Sequence, residues 1–188
     1  AAIGAGLVLL ELVAYSEEIA RAYWMVGHLM NTFLLMATLA LTAWWGSGNE
    51  GITLHGQGIV AVSFWIAFAG MLVLGASGGI TALGDTLALG GGISPAESAV
   101  VATLVELRIW HPIIAIGAGA LVVWFGWEAR RRRTSAQTAR LSTTLFVLYG
   151  SQLLLGALNV VLKAPIWLQL VHLLMTNLIW IVFILLGA

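Results

Sequence analysis

Three of the four histidines in this 188-residue chain, His28, His111 and His172, lie in or against stretches apolar enough to enter a lipid bilayer. Two of them open near-copies of one phrase, HLMNTFLL from His28 and HLLMTNLI from His172. In both, a threonine follows four residues on (Thr32, Thr176), which puts its hydroxyl on the histidine's face of a helix. An ionisable side chain inside hydrocarbon is costly and by default marks a functional site. The bland alternative is a neutral imidazole bonded to a nearby Thr, Ser or carbonyl, an interaction of about 0.6 kcal/mol. That reading suffices for one lone histidine. Three at matched depth on separate helices favour a ligand role.

The chemistry then narrows. The chain has no cysteine, which excludes thiolate ligands, iron–sulfur clusters and covalently attached c-type haem. Zinc would ask for four N, S or carboxylate donors, and the apolar segments offer too few. Two facing histidines at one depth suit the two axial positions of a haem iron enclosed by a helix bundle. His111 and His172 pair naturally, whereas the mate of His28 would lie in helices ahead of Ala1. His55 falls in a polar loop and reads as ordinary surface. Arg21, Arg108 and Lys163 each lie close to a histidine-bearing span, where they could neutralise haem propionates. Pairing of these cations with Glu17, Glu18 or Glu106 is an equal alternative. Asp85, in ALGDT, has no obvious partner and reads as a loop cap.

The elements that must position these residues are helices in a membrane. The chain is 61% hydrophobic and 9% charged, with a mean hydropathy of +1.01. Soluble domains carry roughly 25% charged residues, so this chain cannot cover a water-facing surface. A formal net charge of zero argues against nucleic acid as a partner. Five stretches supply the roughly 20 apolar residues a spanning helix needs: Trp24 to Trp45, Ile59 to Ser77, Ile109 to Trp127, Thr143 to Leu162 and Ile166 to Gly187. A sixth, Ala2 to Tyr15, is short and contains Glu11; with no initiator Met and no basic lead, it reads as the end of a helix begun earlier in a longer protein. The runs are continuous and Leu/Ala-rich, which excludes a barrel of alternating strands. The expected fold is thus an all-α integral membrane bundle with six apparent spans, the first truncated.

The run Ala129 to Arg133 concentrates positive charge and assigns its loop to the cytoplasm. Alternation then puts the three histidines in the outer part of the bilayer and the C-terminus inside. Ser94, Pro95 and Glu97 predict a capped helix whose face of Val100, Val101, Leu104 and Val105 lies on the outer membrane surface. Pro112 predicts a turn at His111. The glycine-rich GASGGITALGDTLALGGG is expected as loop. The matching His/Thr phrases divide the chain into residues 1–50, a remnant of one half-bundle with two helices, and residues 51–188, a four-helix half-bundle that binds haem.

At this point the chain resembles the haem A synthase family of cytochrome oxidase assembly proteins. GHLMNTFLLMATLALTAWW, GASGGITALGDT, LRIWHPIIAI and LLLGALNVVLKAPIWLQLVHLL carry the resemblance, over nearly the whole chain. The resemblance implies eight spans in two four-helix halves. It implies a b-type haem held by His111 and His172, and His28 as a ligand where the methyl of haem O is oxidised through an alcohol to the aldehyde of haem A. The family's first-half motif, a Glu and a His-Arg near the second span, would precede Ala1, so this extent of chain should not catalyse alone. The expectation is a haem-binding oxidoreductase of the bacterial inner membrane, in contact with lipid, haem and an electron donor or other membrane subunits. A cytochrome b-like subunit without catalysis, and a structural subunit without haem, are the rivals.

Overall fold

The computed structural model describes residues 2–14, 16–49 and 56–188, and the described residues hold seven α-helices and no strand. These are α1 (Ala2–Leu9), α2 (Ile19–Gly46), α3 (Ile59–Asp85), α4 (Ala99–Leu107), α5 (Trp110–Arg132), α6 (Ala136–Val161) and α7 (Ile166–Gly187). All but α1 and α4 are long and apolar enough to cross a membrane, as expected of a multi-pass membrane protein. Helices follow from the solvent: hydrocarbon offers no partner to N–H or C=O, so each must be met within its own segment.

The short first helix ends earlier than the apolar run Ala2 to Tyr15 suggests. It stops at Leu9, and Glu11 and Ala14 take left-handed backbone (φ 58° and 54°) that no helix can continue. The glycine-rich segment departs further from expectation: it is helix, not loop. α3 runs on to Asp85 and passes into a π turn over Thr86–Gly90, closed by Gly91 N–H on the Thr86 carbonyl at 2.8 Å. Glycine lowers helix propensity by about 1 kcal/mol in water, but here it admits close neighbours. A Cβ on Gly84 would stand 3.2 Å from the Leu104 Cβ.

The cap of α4 also moves. Ser98, not Ser94, accepts the Val101 N–H (3.4 Å), while Ser94 Oγ accepts from Ala96 N–H (3.2 Å) and closes a turn ahead of the helix. The turn assigned to His111 falls instead at Arg108–Ile109, so His111 already lies in the first turn of α5. Pro112 fits in that first turn because its missing N–H would have no intrahelical acceptor there.

The chain forms two compact units. The first comprises Ala1–Thr32 and Met71–Ile116. Its core is Ala22 of α2, Leu83 of α3, Leu87 of the π turn that follows, and Val101 and Leu104 of α4, with Val100 and Val105 partly buried beside them. The apolar face expected for α4 is therefore real, and it packs on protein.

The second unit comprises Phe33–Gly70 and Gly117–Ala188. Its core is aromatic. Phe33 stacks on Trp180 (centroids 4.9 Å) and Phe64 on Phe183 (5.1 Å), with Phe125 edge-on to both Phe64 and Phe183. The buried Trp180 indole donates to the Phe33 carbonyl at 2.7 Å, so its polar end is met without water. After α5, Arg133 donates to the Leu186 carbonyl (2.9 Å) and to Gln57 Oε1 (3.0 Å), tying the ends of α5 and α7 together. Burial pulls the Arg133 guanidinium down from its usual value, although a guanidinium stays charged in proteins.

Helices α5 and α6 approach through glycine: a Cβ on Gly119 would stand 2.7 Å from Tyr149 Cε1. Small residues at such interfaces replace the hydrophobic drive that lipid removes. Gly117, two residues earlier, has no neighbour within 4 Å of that position. Gly119→Leu is expected to lower stability by about 1–3 kcal/mol through overpacking, seen as a lower thermal midpoint in detergent. Gly117→Leu should leave that midpoint nearly unchanged.

Candidate functional site

Each of the three intramembrane histidines seats its ring against a glycine of a neighbouring helix. His28 of α2 faces Gly4 of α1, where a Cβ would stand 3.0 Å from the ring's Cε1. His111 of α5 faces Gly78 of α3, with Cε1 3.1 Å from the corresponding position. His172 of α7 faces Gly156 of α6 at 3.4 Å. His28 and His111 belong to the first unit and His172 to the second. His28 is nonetheless exposed, whereas His111 and His172 are half-buried. His55 lies outside the described residues.

The repeated threonines behave alike, though not as ring partners. Thr32 Oγ1 donates to the His28 carbonyl (2.9 Å) and Thr176 Oγ1 to the His172 carbonyl (3.0 Å). A threonine inside a helix has this acceptor within reach one turn back, and in hydrocarbon no water competes for it. The second copy carries an addition. Gln152 of α6 donates through Nε2 to the His172 carbonyl (3.0 Å) and to Thr176 Oγ1 (2.7 Å), joining α6 to α7 beside the histidine. Gln152 Oε1 and Asn159 Oδ1, two turns apart on α6, are buried and meet no partner among the described residues.

His111 has a ring partner. Its Nδ1 lies 2.9 Å from Ser77 Oγ on α3. Ser77, Thr81 and Asp85 follow at four-residue spacing along α3 and form one polar stripe. At its end Asp85 Oδ1 accepts from Arg108 Nη1 at 3.1 Å. Asp85 therefore does have a partner, contrary to its reading as a lone loop cap, because α3 extends far enough to carry it alongside Arg108. Thr81 Oγ1, between the two contacts, is buried with no partner among the described residues.

The other cations are placed differently. Arg21 is buried (7% exposed) and donates from Nη1 to the Ser16 carbonyl at 3.1 Å; its Nε is buried with no partner among the described residues. Lys163 is exposed in the α6–α7 turn, where Lys163 and Ala164 both take left-handed backbone (φ 58° and 51°). That backbone is strained for residues with a Cβ. Gln169 holds the turn by donating to the Ala164 carbonyl at 2.6 Å. Among the described residues, no group of three His, Asp or Glu gathers closely enough to hold a bare metal ion.

Sequence reasoning did not find the facing glycines, Ser77 or Gln152. Gln152 gave a signal as an amide in the Leu-rich GSQLLLGALN, and Ser77 fell where the end of the span Ile59 to Ser77 overlaps the segment expected as loop.

The family described as cytochrome oxidase assembly protein matches residues 1–184. Two curated relatives, from two strains of Thermus thermophilus, are both named protoheme IX farnesyltransferase. Each is 43% identical over 194 residues, covering 99% of this chain and 31% of the relative. The chain thus spans about a third of the length of these relatives. No solved structure matches it.

The glycine contacts predict opposite signs for one substitution. Ala favours a helix over Gly by up to about 1 kcal/mol. At Gly156 the added methyl meets the His172 ring at ordinary contact distance (3.4 Å), so Gly156→Ala should be neutral or stabilising. At Gly78 it would stand 3.1 Å from the His111 ring, so Gly78→Ala must displace the imidazole. Thermal melts in detergent, with NMR shifts of the two imidazoles, separate the cases.

Proposed function

Because the chain belongs to the cytochrome oxidase assembly protein family, we propose that it is the haem-binding part of a haem A synthase-type membrane oxidoreductase. In this reading His28, His111 and His172 each offer an imidazole nitrogen to haem iron, and His28 lies where the haem O methyl is oxidised to the haem A formyl group. The observation that carries it is the repeated histidine–glycine seat. A flat ring in each case replaces the side chain that would otherwise fill the groove between two helices.

The residues present fit a haem on their chemistry. Neutral imidazole is an established axial ligand. The buried, unmet Nε–H of Arg21 is a donor suited to a carboxylate such as a propionate. Arg108 engages Asp85 through Nη1 and keeps its other N–H groups for a second anion. Lys163 supplies an exposed charge at the α6–α7 turn. Bound haem would supply the redox-active iron. The chain's own residues position the rings, offer cations to propionates and exclude water from the grooves.

The positive run Arg130 to Arg133 supports a cytoplasmic α5–α6 connection and C-terminus, in a bacterial inner membrane. The likeness of residues 24–45 to 167–187 around His28 and His172 supports two half-bundles, divided near residue 50.

The relatives' name makes farnesyl transfer to protohaem the second reading. It shares haem as the ligand but needs different chemistry, because departure of a diphosphate calls for Mg2+ on carboxylates. Among the described residues no group of three His, Asp or Glu gathers closely enough to hold such an ion, and Asp85 and Glu128 are paired with Arg108 and Arg132 (2.9 Å). The chain spans 31% of those relatives, and the family matched over residues 1–184 supports the oxidase reading for this part.

The test supplies the full-length protein in membranes with haem B plus farnesyl diphosphate, or with haem O, and identifies the extracted pigments. Formation of haem A from haem O, lost in His28→Ala, is the expected result. Formation of haem O from haem B with His28→Ala unaffected would favour the transferase. Haem B alone in every extract would favour a non-catalytic cytochrome b-like subunit.

A further inference from the structure

The Ser77 hydroxyl carries one proton, and its surroundings decide where that proton points. Its oxygen lies 2.8 Å from the Leu74 carbonyl and 2.9 Å from His111 Nδ1. A carbonyl oxygen only accepts, so the first contact is a hydrogen bond only if Ser77 is the donor. The oxygen then faces Nδ1 with a lone pair, and the second contact is a hydrogen bond only if Nδ1 carries a hydrogen. The reverse arrangement, Ser77 donating to Nδ1, satisfies one of the two contacts. In hydrocarbon the arrangement with both bonds prevails, because no water makes up for a lost one.

A neutral imidazole with hydrogen on Nδ1 has a bare lone pair on Nε2. The Gly78 seat fits this orientation: Cε1 and Nδ1 lie nearest to the Cβ position on α3 (3.1 and 3.6 Å), and Nε2 lies farther off at 3.8 Å. We infer that Ser77 is a positioning residue that fixes His111 as the Nδ1–H tautomer and so presents Nε2 as the ligand nitrogen. The tautomer follows from the Ser77 contacts alone; its use toward iron rests on the haem-binding reading above. An acceptor on the distal ring nitrogen is how metal-bound histidines are commonly oriented, and losing it weakens binding by about 10- to 100-fold.

Nitrogen-15 NMR of histidine-labelled, full-length protein prepared without haem reads the tautomer directly, with His111→Gln identifying the signal. The wild type is expected to show a hydrogen-bearing Nδ1 and a bare Nε2. Ser77→Ala should lose that preference, and Ser77→Thr, which keeps the hydroxyl, should restore it. A hydrogen on Nε2 in the wild type, or an unchanged tautomer in Ser77→Ala, would overturn the assignment. Haem titration of the same proteins is expected to show about 10- to 100-fold weaker binding for Ser77→Ala and recovery for Ser77→Thr. If the tautomer responds as expected while His111→Gln binds haem as well as wild type, Ser77 still sets the tautomer but the ligand role of His111 fails.

Discussion

An imidazole inside hydrocarbon has to find room between helices and partners for two nitrogens, with no water to supply either. The spans meet the first demand in one way at all three positions. Gly4, Gly78 and Gly156 remove the side chain that would occupy the ring's place. Because a glycine also lets backbones approach, the same residues set how closely α1 meets α2, α3 meets α5 and α6 meets α7. The second demand is met visibly at His111, and at the other two positions the polar neighbours serve the histidine's backbone carbonyl instead. Ser77 serves His111, while Thr32 and Thr176 turn back to carbonyls and Gln152 braces the carbonyl of His172 from the next helix.

Fold class was legible because a 20-residue apolar run in a membrane has few alternatives to helix. The ends of elements were less so. The segment from Gly75 to Gly92 reads as loop by rules learned in water, where glycine exposes backbone to competing solvent. Packed against Leu29 and Leu104, its first ten or so residues continue α3 instead. That one misreading hid the contact of Asp85 with Arg108, which depends on α3 reaching Asp85. Similarly, Ser94 and Ser98 both carry a hydroxyl at a plausible cap. The burial of Val101 and Leu104 against α3 selects the second.

The histidines themselves were legible by spacing and by their cost in lipid. What faced them was not, since 22 glycines in the chain carry no mark of which one meets a ring. The cations divide in a way the sequence could not show. Arg21 is buried with one donor unmet, Arg108 is half-exposed and tied to Asp85, and Lys163 stands in a strained turn. Only tertiary packing distinguishes a guanidinium held under a helix end from one reaching outward.

Histidines that are haem ligands, rather than packing residues, must couple magnetically to the iron through their nitrogens. The most direct measurement is electron–nuclear double resonance on the oxidised protein, grown with nitrogen-15 histidine and otherwise natural nitrogen. A low-spin iron with strong coupling to histidine nitrogen is expected. A haem whose iron shows no histidine coupling, or a purified protein that takes up no haem, would contradict the ligand role.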